Sequence, residues 1–106
     1  MDIQIPTLLL DGTVLAILNR EEMYGYVLTK TVQASLPISE STMYPVLRRL
    51  KNSECLETYD VPFEGRMRRY YRITETGKQE LKKIYNDWVV FRDVMDRLME
   101  VEEDDE

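Results

Sequence analysis

The sequence contains 106 residues, of which 43% are hydrophobic and 32% are charged, and its formal net charge is −6. These values predict one soluble globular domain, because the chain is too short for separate binding and catalytic domains and has no apolar stretch of membrane-spanning length. The chain has a single cysteine and no histidine, which excludes an internal disulfide, histidine-based zinc sites and serine–histidine triads.

Two amphipathic segments open the chain. Apolar side chains recur at helical spacing over residues 6–20, which predicts a largely buried first helix that Gly12 weakens. A second helix follows a short connection at residues 21–23, and it ends before Pro37 because the residue preceding a proline is disfavoured in a helix. The positions that define the face of this second helix are Tyr26, Val27, Thr31, Val32 and Leu36.

A third helix is predicted to begin at Ser39 or Ser41, since either hydroxyl can cap it. Pro45 favours a start near Ser41, because a proline in the first turn has no N–H that the helix would need. The helix carries basic residues opposite an apolar stripe that consists of Met43, Tyr44, Val46, Leu47 and Leu50.

From Leu56 onward the spacing changes from helical to alternating, which predicts two strands, the second over residues 69–73. Residues 62–65 carry the turn chemistry of a hairpin tip, with Gly65 free to adopt a positive φ. Cys55, just before the first strand, is predicted to be a small buried apolar residue rather than a redox thiol.

Thr74 is predicted to cap a long last helix that runs to about Val101. A three-helix core with one hairpin offers too little surface to cover the apolar seam of this helix, so we expect a second subunit to cover it. The alternative is that the helix folds back on its own core. The seam residues, spaced three and four apart, are Leu81, Ile84, Trp88, Phe91, Met95 and Leu98.

The predicted fold is mainly α with a small β-hairpin: a winged helix-turn-helix over residues 1–75 and a C-terminal dimerisation helix over residues 76–101. Residues 102–106 form an acidic tail that we expect to be disordered. A capped basic third helix followed by a hairpin is typical of proteins that place this helix in the major groove of double-stranded DNA. The predicted DNA contacts are Ser39, Ser41, Thr42, Tyr44, Arg48, Arg49, Lys51, Arg66, Arg68 and Arg69.

The charge distribution is compatible with this interface despite the net negative charge. Residues 48–83 hold ten basic and six acidic residues, and attraction to phosphate depends on the face presented because charges are screened over about 8 to 10 Å. The alternative is a winged-helix protein-interaction module without DNA binding, which the overall charge favours. We do not expect an enzyme, a metal site or a cofactor, because the sequence has no Gly-rich phosphate loop and no nucleophile with a base.

Three blocks of the sequence resemble the PadR family of bacterial transcriptional regulators, in its short form with one C-terminal helix. They are YGY at residues 24–26, STMYPVLRRL at 41–50, and GRMRRYYRIT at 65–74 followed by Gly77. The resemblance implies a homodimeric repressor of a palindromic operator, with the third helix in the major groove and the wing near the minor groove or backbone. Since the Met1-Asp2 start lacks the basic residues of a signal peptide, we expect a cytoplasmic protein that is nucleoid-associated when bound to DNA.

The resemblance also singles out three positions. Glu54 stands where these proteins often have a helix-ending glycine, and Met67 stands where a proline often follows the wing arginine. In multidrug-sensing members, a tryptophan matching Trp88 lines a pore across the dimer interface and stacks on flat aromatic ligands. The implied site for a small planar aromatic effector consists of Tyr85, Trp88, Val89 and Arg92; the alternative is that Trp88 only fills the dimer core.

Overall fold

The computed structural model describes residues 1–100. The predicted acidic tail and the end of the predicted last helix at Val101 lie outside these residues. The fold is the expected one, mainly α with a winged helix-turn-helix and a long C-terminal helix. Its elements are α1 (Thr7–Arg20), β1 (Met23–Tyr24), α2 (Gly25–Gln33), α3 (Glu40–Asn52), β2 (Leu56–Phe63), β3 (Arg66–Ile73) and α4 (Glu75–Met99).

One apolar core joins the four helices to the sheet. Leu15 of α1, Leu28 of α2, Met43 of α3 and Leu56 of β2 are almost fully buried, and Cys55 is buried beside them as predicted. Burying side chains of this size contributes about 1.5–3 kcal/mol each, which makes the core the main source of stability. Within residues 1–100, none of the helices is both long and apolar enough to cross a membrane.

The structure corrects the predicted face of α2. Leu28 and Val32 are its buried residues, whereas Tyr26 and Val27 are exposed. A helix of nine residues has only about two and a half turns, too few for spacing alone to choose between two apolar faces. The preceding connection also contains β1, which pairs with β3 and makes the sheet order β1-β3-β2.

Helix α3 is capped by Ser39, whose hydroxyl accepts a hydrogen bond from the Thr42 backbone N–H at 3.2 Å. Pro45 is therefore the sixth residue of the helix, and its assignment to the first turn is wrong. Its missing N–H leaves the Ser41 carbonyl without the usual helical donor. Tyr44, predicted to lie in the apolar stripe, is exposed, while the other four residues of that stripe are buried.

The hairpin turn is shorter than predicted. Strand β2 continues through Phe63, which pairs with Arg66, so only Glu64 and Gly65 form the turn. Their φ values are 49° and 78°. Positive φ at both positions is what a type I′ turn requires, and its twist matches that of the paired strands. The positive φ predicted for Gly65 is confirmed.

Helix α4 begins after Thr74, whose hydroxyl accepts a hydrogen bond from the Gly77 N–H at 3.0 Å, as predicted. Its first turns pack closely on α1, because a Cβ on Gly12 would lie only 2.8 Å from Cγ2 of Ile84. Ile84 is 3% exposed and Leu81 is half-buried against the same core. The prediction that a second subunit covers Ile84 is therefore wrong, because its own chain already buries it, whereas the predicted contact of Leu81 with a second subunit stays a prediction.

Helix α3 ends in a Schellman motif, in which two backbone hydrogen bonds close over a residue in the left-handed conformation. The Cys55 N–H donates to the Leu50 carbonyl at 2.9 Å, and the Glu54 N–H donates to the Lys51 carbonyl at 3.0 Å. The left-handed residue is Glu54, with φ of 65°. Glu54 is also the position at which proteins of the family that the sequence resembles often have a helix-ending glycine.

We expect the substitution Glu54→Gly to raise the free energy of unfolding by about 1 kcal/mol, because glycine adopts positive φ without the steric cost that a Cβ imposes. Urea denaturation followed by circular dichroism measures the change. The matched control is Glu21→Gly at the end of α1, where φ is −162° and glycine has no such advantage. Glu54→Gly should stabilise the protein and Glu21→Gly should not; equal effects would contradict the assignment.

Candidate nucleic-acid interface

The solvent-facing side of α3 carries most of the residues predicted to contact DNA. Ser41 and Arg48 lie near the centre of this side, opposite the four buried residues of the helix, with Tyr44 and Lys51 on one flank. All four side chains are exposed. The helix therefore presents hydroxyl, aromatic and cationic groups on one surface, which is the arrangement that base edges and phosphates require.

The first turn of α3 adds a cluster of hydroxyl groups. The Ser39 hydroxyl lies 2.8 Å from that of Ser41 and 3.1 Å from that of Thr42. All three residues are exposed at the positive end of the helix dipole, where backbone N–H groups also point outward. These groups can donate hydrogen bonds to an anion such as a backbone phosphate.

Tyr44 connects α3 to the hairpin electrostatically. The Arg48 guanidinium lies 4.9 Å from the centre of the Tyr44 ring. A hydrogen bond from Arg48, together with its charge and a smaller contribution from Arg69, lowers the pKa of the Tyr44 hydroxyl. Arg48 of α3 and Arg69 of β3 therefore act electrostatically on the same tyrosine.

Arg49 lies on the other flank of the exposed side. Its guanidinium forms an ion pair with Asp11 of α1, on the flank of α3 that turns toward the body of the protein. Burial raises the pKa of the Asp11 carboxyl; Arg49 opposes this rise, and Glu80 of α4 adds to it. The Arg49 side chain, which is 44% exposed, thus compensates a half-buried carboxylate, and its contact with DNA stays a prediction.

The arginines of the β2–β3 hairpin, called the wing below, are divided between the two faces of the sheet. Residues alternate along a strand, so Arg66 and Arg68 lie on one face and Arg69 on the other. Arg69 lies on the face next to α3 and is 3.5 Å from Asp60. The Arg68 guanidinium lies 3.5 Å from the centre of the Phe63 ring. The predicted wing contacts therefore do not form one continuous surface.

A shallow groove of about 240 Å³ runs between α2, α3 and β3, beside Tyr44. Tyr26 and Tyr71 also line it, and the Lys30 ammonium lies 5.4 Å from the centre of the Tyr26 ring. Burial raises the pKa of the Tyr71 hydroxyl. The sequence analysis assigned Tyr26 to the apolar face of α2, and its spacing alone gave no sign that it borders this groove.

A second, apolar cleft of about 350 Å³ lies between α1 and α4. Tyr85 and Trp88, two of the predicted effector residues, line it together with Leu9 of α1. Val89 and Arg92 are not among the residues that line it within residues 1–100, and Arg92 is paired with Asp93 at 3.3 Å. The structure thus brings together two of the four predicted effector residues.

Beyond Ile84, α4 exposes a row of apolar residues. Phe91 is 53% exposed and Leu98 is 75% exposed, whereas Trp88 and Met95 are half-buried. Helix α4 has 25 residues and α1 has 14, so α1 can run beside only part of α4. Part of the predicted seam therefore faces solvent in a single chain.

Comparison with known proteins places this arrangement among regulators of transcription. Residues 14–83 match the Transcriptional regulator PadR-like family. A protein of Lysinibacillus sphaericus that is itself uncharacterized is 34% identical over 97 residues, which are 86% of this chain and 88% of that protein.

Solved structures agree in fold over most of the chain. A Streptococcus mutans protein of known crystal structure is 32% identical with a TM-score of 0.86, and the match covers 98% of this chain and 100% of that one. A PadR family transcription regulator of Clostridium difficile is 28% identical with a TM-score of 0.76, covering 84% of this chain and 96% of that one.

Proposed function

The chain belongs to the PadR-like family of transcriptional regulators, and on this basis we propose that it is a cytoplasmic homodimeric repressor whose helix α3 reads a palindromic DNA operator. As a member of this family it is a DNA-binding regulator and not an enzyme. In this proposal, residues 1–75 bind DNA and α4 forms the dimer interface. The observation that carries the proposal is the exposed side of α3.

That side is chemically suited to the major groove. Arg48 and Lys51 supply positive charge, and Ser41 and Tyr44 supply hydroxyl groups that can bond to base edges or phosphates. All four follow the Ser39 cap on a single helix whose opposite side is anchored in the core. A rigid helix holds such groups in a fixed pattern, which sequence-specific readout requires.

We expect Arg48→Ala to weaken binding to the operator by about tenfold or more, because an arginine that contacts a base or phosphate contributes about 1–3 kcal/mol. Fluorescence anisotropy with the labelled duplex found upstream of the protein's own gene measures the affinity at several salt concentrations. If Arg48 contacts a phosphate, the slope of log affinity against log salt should also fall by about 0.9.

Arg49→Ala is a matched control, since it removes the same charge one residue further along the same helix. Arg49 is paired with Asp11, so its loss should lower stability more than DNA affinity. Circular dichroism establishes that each variant is folded under the conditions of the titration. Equal losses of affinity in the two variants would contradict the proposed reading surface, and a wild-type protein that binds no duplex at low salt would favour a protein-interaction module.

We propose that a second copy of the chain covers the exposed part of α4. The row consists of Trp88, Phe91, Met95 and Leu98, and the side chains of Phe91 and Leu98 are more than half exposed. Exposed apolar rows of this kind characterise protein interfaces. A two-fold dimer also supplies the symmetry that matches two half-sites about one turn of DNA apart, roughly 34–36 Å.

We expect Phe91→Asp to produce a folded monomer, because a carboxylate in an apolar interface between subunits would lose its hydration without a partner. Size-exclusion chromatography with light scattering measures the mass, and circular dichroism reports the fold. Asn86→Asp adds the same charge at an exposed position of the same helix and should leave the dimer intact. A dimer that survives Phe91→Asp would contradict the proposed interface.

The cleft between α1 and α4 supports one further part of the proposal, a small planar aromatic effector that releases the repressor. The indole of Trp88 and the ring of Tyr85 line an apolar space of about 350 Å³, which is within the range of small-molecule sites. Flat aromatic cations can stack on such rings and gain from the quadrupoles of the rings as well as from burial.

We expect planar aromatic cations to quench the fluorescence of Trp88, the only tryptophan in the chain, and to weaken DNA binding. Titration with ethidium-like and acridine-like dyes measures the quenching, with Tyr85→Ala as a variant that should weaken it. Trp88→Phe reports on the DNA effect without the fluorophore. If a broad panel of such dyes neither quenches Trp88 nor shifts DNA affinity, the effector part of the proposal fails and Trp88 is a core residue.

A further inference from the structure

We infer that Arg66 is the arginine through which the wing contacts a DNA phosphate, whereas Arg68 is a positioning residue that fixes the direction of the wing. The inference rests on the proposed DNA-binding function and deepens it. The sequence alone predicts that both arginines contact DNA, whereas the structure indicates a different role for each.

The Arg68 guanidinium is held between two aromatic rings. Its central carbon lies 3.5 Å from the centre of the Phe63 ring and 4.7 Å from the centre of the Tyr24 ring. A planar, weakly hydrated guanidinium gains free energy from stacking on aromatic faces, and Arg68 does so on two rings at once. The side chain is half-buried although it lies close to the tip of the hairpin.

These rings lie on the face of the sheet that turns away from α3. Tyr71, on the opposite face, lines the groove beside Tyr44 of the exposed helix, and Arg69 shares the face of Tyr71. Arg68 and Tyr70 are two residues apart in β3, so their side chains lie on the same face, opposite to Arg69 and Tyr71. The Tyr70 ring lies 5.9 Å from the Tyr24 ring. Arg66 and Arg68 therefore both lie on the face away from the helix that is proposed to enter the major groove, and what separates them is that Arg68 is stacked on rings whereas Arg66 is exposed at the tip.

The stack connects the tip of the wing to the body of the protein. Phe63 is the last residue of β2, beside the turn, whereas Tyr24 belongs to β1 and immediately precedes α2. Strand β1 pairs only with Tyr70 and Tyr71 of β3. Residues 61–68 are therefore a two-stranded ribbon, and an isolated ribbon of two strands is marginally stable in water. Arg68 supplies a contact that reaches from this ribbon back to β1.

Arg66 differs from the other arginines of the hairpin strands because it neither forms an ion pair nor stacks on an aromatic ring within residues 1–100. Arg69 lies 3.5 Å from Asp60, and Arg72 lies 2.8 Å from Glu57. Among residues 1–100, no carboxylate lies within ion-pair distance of Arg66, whose side chain is exposed directly after the turn. A cation at the tip with no carboxylate partner in this part of the chain can contact a phosphate without first breaking an ion pair.

Hydrogen exchange of the free protein tests the positioning role without DNA. In Arg68→Ala, the backbone amides of Val61 and residues 63–68 should exchange about three- to tenfold faster than in the wild type, because the ribbon loses its contact with Tyr24. Arg66→Ala removes the same charge two residues away and should leave these rates unchanged. Unchanged exchange in Arg68→Ala would overturn the inference, whatever the DNA titrations show.

DNA titrations test how the two arginines differ in function, with the upstream duplex and a mixed-sequence duplex as probes. Arg66→Ala should lower the salt slope by about 0.9, the value for one lost phosphate contact, whereas Arg68→Ala should lower the affinity with the slope unchanged. Arg68→Met should restore the affinity to within about twofold of wild type, because methionine is long enough to pack against both rings without a charge. Phe63→Ala should cost little further affinity once Arg68 is already alanine.

Arg68 is a phosphate contact instead if Arg68→Lys keeps the affinity while Arg68→Met and Arg68→Ala lose it equally, each with a smaller salt slope. A wild-type protein that binds neither duplex at low salt would refute the proposed function and the role of Arg66. In that case the exchange rates alone decide whether Arg68 orders the wing.

Discussion

The close approach of α1 and α4 at Gly12 and Ile84 is the contact on which the rest of the structure depends. With no Cβ at Gly12, the Ile84 side chain can lie directly against the α1 backbone, and the first turns of α4 become part of the core. The next turns must then leave that core, since α4 is much longer than α1. One contact thus produces both the cleft lined by Trp88 and the exposed apolar row beyond it.

The same part of α1 also holds α3. Asp11, the residue before Gly12, is paired with Arg49 of α3. Adjacent residues of α1 therefore contact the long helix on one side and the proposed reading helix on the other. Because the core between them is packed, a displacement of α1 relative to α4 would be transmitted to α3 through a short and nearly rigid connection. In the proposed function, this is the route by which a ligand in the cleft would act on DNA binding.

Local signals predicted local features well. The Thr74 cap and the positive φ of Gly65 depend on groups within three residues, so the sequence contains all the required information. For α3 the sequence left Ser39 and Ser41 open, and Pro45 favoured the wrong one. Strand β1 could not be predicted, because two residues have no periodicity and its partner strand lies more than forty residues away.

Features that depend on packing between elements were not predictable. The spacing of three and four along α4 identified its apolar side correctly but could not show that Ile84 faces its own α1. Arg48 and Arg49 are chemically identical and both exposed, and only the rotation of α3 relative to α1 determines which of them pairs with Asp11. The sequence could therefore identify the elements of the site more reliably than the role of each residue.

Contacts within the chain reduce the number of basic side chains that each subunit has free to contact DNA. Of the basic residues on α3 and the wing, Arg49, Arg69 and Arg72 already face carboxylates, and Arg68 is stacked between rings. Arg48, Lys51 and Arg66 are left to attract phosphates, on a chain whose net charge is −6. Since affinity for DNA grows with the number of phosphates neutralised, three contacts on an acidic subunit form a weak site. Two subunits paired through α4, as proposed, would double that number, so the pairing would raise affinity as well as supply symmetry.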